Sequence, residues 1–191
     1  MSGRRLIFLT HAEVVIDPAV PVPKWGLSDI GRARHAAFAD SAEVAHVTTL
    51  ASSPETKARE GAAPVADRLA LPIRAISALG ENDRSATGYL PPDEFERTAD
   101  AFFENPDTAV RGWERARAAQ ARVVAAVTTL AELDDAAGDI LILAHGAVGA
   151  LLRCHLKGCE ITRAEDQPPG GGAWFETRTG GWPAPGDWSR I

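Results

Sequence analysis

Two stretches of this chain share one design. Leu6-Ile7-Phe8-Leu9 runs into Thr10-His11, and Ile140-Leu141-Ile142-Leu143 runs into Ala144-His145-Gly146. Four consecutive apolar residues bounded by polar ones read as a strand buried on both faces, as in the middle of a parallel sheet. A strand that stops on an imidazole delivers it to the carboxyl edge of the sheet, where open α/β sheets build their sites. A lone histidine there is usually a polar strand end; two in the same strand-to-loop context predict that His11 and His145 meet around one ligand.

The 191 residues, 45% of them hydrophobic, suit one domain with a real core. A net charge of −6 argues against a nucleic-acid or anionic-membrane partner, so any anion binding must be local. Arg4-Arg5 precedes an apolar run too short for an export signal, and no window reaches the roughly 18 apolar residues of a membrane span, so a cytoplasmic protein is expected. Cys154, His155 and Cys159 lack the further ligand that zinc would need, so neither metal nor cofactor is expected.

Between the two histidine strands the chain alternates. Prolines 18, 21 and 23 force a loop. Ser28 caps a helix to about Ala39, and Val47 to Ala51 reads as a strand. Ser53 as N-cap, Pro54 at the first position and Glu55 against the dipole start a second helix, with Lys57 one turn in. Leu71 to Leu79 reads as a third strand, and residues 80–88 as a polar site loop carrying Glu81 and Arg84. Helices over Pro92 to Glu104 and Arg111 to Leu133 suggest a helical insert at about 80–135. A helix from Ala147 to Leu156 and an edge strand from Ala173 to Thr177 complete the reading. Alternating strands and helices imply a three-layer α/β/α sandwich around a mostly parallel sheet.

A neutral imidazole can attack phosphorus and carry the phosphoryl group, which splits one displacement into two. A second histidine and a helix start at Gly146 suit the equatorial oxygens, and a carboxylic acid such as Glu81 suits the leaving oxygen.

Five segments, in order, resemble the histidine phosphatase superfamily with the phosphoglycerate mutase-like fold. They are Thr10-His11-Ala12-Glu13, the helix start Leu27 to Arg34, Ser52 to Ala62, Leu79-Gly80-Glu81 and Ala144-His145-Gly146-Ala147. The resemblance implies a metal-independent phosphomonoesterase with His11 as the phosphorylated nucleophile, Glu81 as proton donor and His145 in the phosphate pocket. A phosphorylated small molecule or phosphoprotein would be the partner.

Both pocket arginines of the family are replaced, by Thr10 and Lys57, and the glycine after the nucleophile is Ala12. Arginine offers a rigid charged fork, lysine a mobile point charge and threonine a neutral hydroxyl. Two such losses define a second reading, a catalytically weak relative that binds an anion or a protein. Arg84, Lys24, Arg153 or an N-terminal arginine are candidates for the missing charge. Trp25, Phe102, Phe103, Trp113 and Trp174 are candidates for an entrance, and Asp166-Gln167 for the rim.

Overall fold

In the computed structural model, which describes residues 3–191, the two histidine-bearing segments are neighbouring parallel strands, β1 (Arg5–Thr10) and β4 (Asp139–Ala144). The other strands are β2 (Val47–Ser52), β3 (Ile73–Ala75), β5 (Ala173–Arg178) and β6 (Ser189–Arg190), giving the order β3-β2-β4-β1-β5-β6. The first four are parallel, and β5 and β6 join antiparallel.

Alternation along β1 and β4 sorts the core into two faces. Leu6, Phe8, Ile140 and Ile142 meet Val123, Val127 and Leu130 of α4 (Ala116–Leu133) and Val148 and Leu152 of α5 (Gly146–Lys157). Ile7, Leu9, Leu141 and Leu143 meet Phe38 of α1 (Asp29–Ala39) and Ala58, Ala62 and Val65 of α2 (Thr56–Leu69). The result is the expected three-layer α/β/α arrangement. The Ser28 cap is in place, its Oγ accepting from Gly31 N at 3.0 Å. Of the stretch expected as a helical insert, α3 (Pro92–Glu104) packs with Trp113 against α5 away from the sheet, whereas α4 covers the sheet directly.

Four boundaries differ from the sequence reading. The third strand is only Ile73–Ala75, because the apolar run then turns through a short 3-10 segment, Ser77–Leu79, that buries Leu79 in the core. The helix expected from Arg111 begins at Ala116, since Arg111 and Gly112 hold φ of 52° and 83°, outside any right-handed helix. Helix α2 starts at Thr56, after Pro54, because Ser53 turns its hydroxyl to His145 while accepting from Glu55 N. The strand near 173–177 is no edge: β5 lies between β1 and β6, where the last residues of the chain add a partner.

At the amino ends of the parallel strands, a buried carboxylate ties four segments together. Asp134 Oδ2 accepts from Arg4 at 2.6 Å and from Thr49 at 2.5 Å, and Oδ1 pairs with Arg74 at 2.8 Å. Removing one partner of a buried charge cluster leaves the others uncompensated. Asp134→Ala is therefore expected to cost roughly 1–3 kcal/mol in urea unfolding, since Arg4 and Arg74 keep access to solvent, and Asp134→Asn less. Equal stability of Asp134→Ala and wild type would show that the cluster does not hold this end of the sheet.

Candidate active site

Parallel pairing of Thr10 with Ala144 sets the next residue of each strand side by side, and His11 N donates to Ala144 O at 3.1 Å. The two imidazoles stand edge to face with ring centroids 5.2 Å apart. His11 and His145 therefore meet as expected at the carboxyl edge of the sheet.

His11 Nδ1 lies 2.9 Å from Ala12 O, and a carbonyl oxygen only accepts, so the proton is on Nδ1 and Nε2 keeps a bare lone pair. Burial pulls the pKa of His11 down to about 4; the Ala12 carbonyl and Glu55 oppose this, while Lys57 and Arg84 add to it. The ring is thus neutral at physiological pH. His145 is fully buried and bonds Ser53 Oγ through Nε2 at 2.8 Å. Burial, with His11, Lys57 and Arg84, depresses its pKa well below the usual range. Behind them the His35 ring accepts from Ala12 N at 3.0 Å, and burial lowers its pKa to about 3.

Two cavities open beside His11 and a third adjoins them, whereas His145, expected in the phosphate pocket, is fully buried behind His11 and lines none of the three. One of about 360 Å³ joins His11 to Glu81, Asn82, Arg84 and Gln167; one of about 270 Å³ joins His11 to Lys57, Arg84 and Trp25. The third, about 610 Å³, lies between the proline loop and Glu55, Glu81, Asn82, Asp83 and Arg84. Arg84 borders all three. Its guanidinium lies over the faces of Phe95 and Trp113, at 5.2 and 5.6 Å from the ring centroids, and pairs with no carboxylate among the described residues.

The remaining expected residues are arranged less simply. Thr10 is fully buried: its hydroxyl bonds Gln167 Oε1 and the Ala173 backbone, so it ties β1 to β5. Lys57 Nζ is engaged by Glu55 Oε2 at 2.5 Å and Val22 O at 3.0 Å. Glu81 caps α5, accepting from Ala147 N and Val148 N at 3.2 Å each, so the helix start expected to take phosphate already faces a carboxylate of the chain itself. Gln167 lies across Gly146, where any side chain would overlap its amide.

Of the other candidate cations, Arg153 is bound to Glu165 and Gly186 O, and Arg4 to Asp134 at the far end of the sheet; neither reaches the site. Phe102, Phe103, Trp113 and Asp166 line the 360 Å³ cavity, whereas Trp174 packs on Phe38 away from it.

Sequence reasoning missed four contributors. Glu55 reads along the chain only as a charge at a helix start, yet its Oε1 lies 3.3 Å from His145 Nε2 and accepts from Glu81 N at 3.0 Å. Asn82 is 3% exposed, with a buried Nδ2 that has no partner among the described residues. Arg122 fixes the Glu81 loop by donating to the carbonyls of Ala78, Gly80 and Glu81. Ser53 supplies the hydroxyl on His145. Only Asn82 carried a signal, as a polar neighbour of Glu81 in a turn-rich loop.

The sequence model of the histidine phosphatase superfamily (branch 1) matches residues 20–182. No curated protein matches the chain significantly. Among solved structures, the mycobacterial glucosyl-3-phosphoglycerate phosphatase with inorganic phosphate is 21% identical, with 97% of this chain and 94% of that one covered at a TM-score of 0.74. Bacillus stearothermophilus YhfR is 20% identical, 98% and 95% covered, at 0.79. A phosphoserine phosphatase from Entamoeba histolytica, solved with 3-phosphoglyceric acid, is 15% identical, 98% covered on both sides, at 0.77. At these identities the likeness establishes the fold. No helix among the described residues is long and apolar enough to cross a membrane.

Three depressed imidazoles fix the sign of the acid response. In the unfolded chain each titrates near 6.5, so below that pH the unfolded state binds protons that the native state refuses. Stability should be full above pH 7 and fall as pH drops toward 4, each histidine adding about 1.4 kcal/mol per pH unit once below its unfolded pKa. Urea unfolding between pH 8 and 5 measures the slope, and His35→Gln, which keeps an acceptor for Ala12 N, should reduce it by one proton. An unchanged slope in that variant would refute the assignment.

Proposed function

The chain belongs to the histidine phosphatase superfamily, and from that premise we propose that it hydrolyses phosphomonoesters through a phosphohistidine on His11, without a metal. The observation that carries the reading is the His11 tautomer: Nδ1–H is spent on Ala12 O, which leaves the Nε2 lone pair as the only free function of the ring. Burial keeps that lone pair unprotonated at neutral pH.

In the proposed reaction His11 Nε2 attacks phosphorus in line with the ester oxygen. The P–O bond breaks, and the leaving oxygen takes a proton from Glu81 at the cavity rim. Water then attacks phosphorus and gives its proton to the same carboxylate; the P–N bond breaks, its electron pair returns to His11 Nε2, and inorganic phosphate leaves. Arg84 supplies the charge on the phosphoryl oxygens: it is unpaired, it borders every cavity beside His11, and two aromatic faces hold it there. The His145 ring, bonded to Ser53 and fully buried, stands edge to face with His11 and backs the nucleophile.

A second reading, an anion-binding relative with little turnover, draws on the Lys57–Glu55 ion pair and on Thr10, whose hydroxyl is already bonded inside the fold. Turnover of p-nitrophenyl phosphate in the presence of chelator separates the two. Wild type is expected to turn over and form an acid-labile, base-stable phosphoryl label, and His11→Ala to do neither. Arg84→Ala should lower kcat/KM by roughly ten- to a hundredfold, the effect of losing one charge-assisted contact. Equal rates in wild type and His11→Ala, or none in either, would move the assignment to the binding reading.

A further inference from the structure

The Glu55 carboxylate lies where the anion of a ligand would make its contacts. Its Oε2 holds Lys57 Nζ at 2.5 Å, and its Oε1 faces His145 Nε2 at 3.3 Å and accepts the Glu81 N–H at 3.0 Å. A cation and a backbone N–H donating to one side-chain carboxylate, with an imidazole edge beside them, are a setting that binds an oxyanion. Helix α2 contributes to this arrangement, because its late start at Thr56 turns Glu55 inward beside Ser53 instead of leaving it in the first turn.

We propose that Glu55 is a specificity-determining residue: an internal anion that excludes ligands bearing only negative charge and admits phosphorylated ligands that bring a cationic nitrogen to it. A simple phosphate dianion at Lys57 would have to displace Glu55 and leave that carboxylate unpaired in a half-enclosed cavity, or lie against it. A ligand with both a phosphoryl group and an ammonium group exchanges partners without that cost: its phosphate takes Lys57 and its nitrogen takes Glu55.

The adjoining 610 Å³ cavity has matching walls, with three carboxylates, Glu55, Glu81 and Asp83, against the single guanidinium of Arg84. The unpartnered Asn82 Nδ2, buried at the junction of this cavity with the one containing His11, points independently to a ligand oxygen as its missing acceptor. The substrate class this gives, an amino-bearing phosphomonoester, rests on the hydrolase reading above; the selection by charge does not.

Equilibrium binding of inorganic phosphate and of O-phosphoethanolamine to wild type, Glu55→Gln and Glu55→Ala tests the inference, with circular dichroism reporting that each variant is folded. Wild type should prefer O-phosphoethanolamine. Both variants should bind phosphate roughly tenfold or more tightly than wild type, the like charge having been removed, and should lose the preference. Phosphate affinity unchanged in the folded variants, a preference that survives substitution, or no binding of either ligand by any form would overturn it. Binding is read without turnover, so an inactive chain that gains phosphate affinity on Glu55→Gln sustains the charge selection while removing the hydrolase reading. Turnover with no change in binding does the reverse.

Discussion

The site depends on the register of β1 against β4. Thr10 lies opposite Ala144, and the His11 N–H to Ala144 O bond extends that ladder one residue past the strand end. Side chains alternate with period two, so a slip of one residue would send Phe8 and Leu9 to the wrong layers and part the imidazoles. The register is fixed by packing on both faces at once: Leu6 and Phe8 are committed to α4 and α5, and Ile7 and Leu9 to α1 and α2. Fully buried alternate residues leave no neighbouring register of similar energy. The histidine pair is thus a consequence of the core.

That explains how much of the molecule was legible. Both histidine strands, the parallel sheet, the Ser28 cap and the meeting of His11 with His145 follow from local apolar runs and caps, which the chain carries in the open. The role of Glu55 and the bond of Gln167 to Thr10 do not, because each depends on a partner distant in sequence. Glu55 is defined by His145 and Glu81, and Gln167 by Thr10, which is 157 positions away. Nor does a sequence show that β5 acquires a neighbour from the last three residues, or that Arg111 adopts a left-handed turn ahead of α4.

The replacements of the family arginines are not equivalent in this fold. At Thr10 the loss comes with a repair of the fold: the hydroxyl joins β1 to β5 and to Gln167, so an arginine put back there would have to displace a buried hydrogen-bond network as well as find room. At Lys57 the cation is kept and its charge is offset by Glu55 two residues earlier. A carboxylate at the start of α2 therefore changes the pocket more than the lysine does, since lysine without Glu55 would still present a full positive charge to an anion.

Pocket cations can serve a phosphohistidine chemistry in two ways, by binding the phosphoryl oxygens and by holding the nucleophile unprotonated. Here the second does not depend on arginine. Burial is the largest influence on His11, ahead of Lys57 and Arg84, and the bond from Nδ1 to Ala12 O fixes which nitrogen is free. His145 is kept neutral in the same way, with burial first. Weakening the cationic lining therefore costs oxyanion affinity without disarming the imidazole. Arg84, a cation of the site with no carboxylate partner among the described residues, hangs on Phe95 and Trp113 at the edge of the segment around α3. The nucleophile is set by the sheet core, and the charge on the transferred group is set by a peripheral element, so ligand recognition can change in this chain while its reacting nitrogen stays in place.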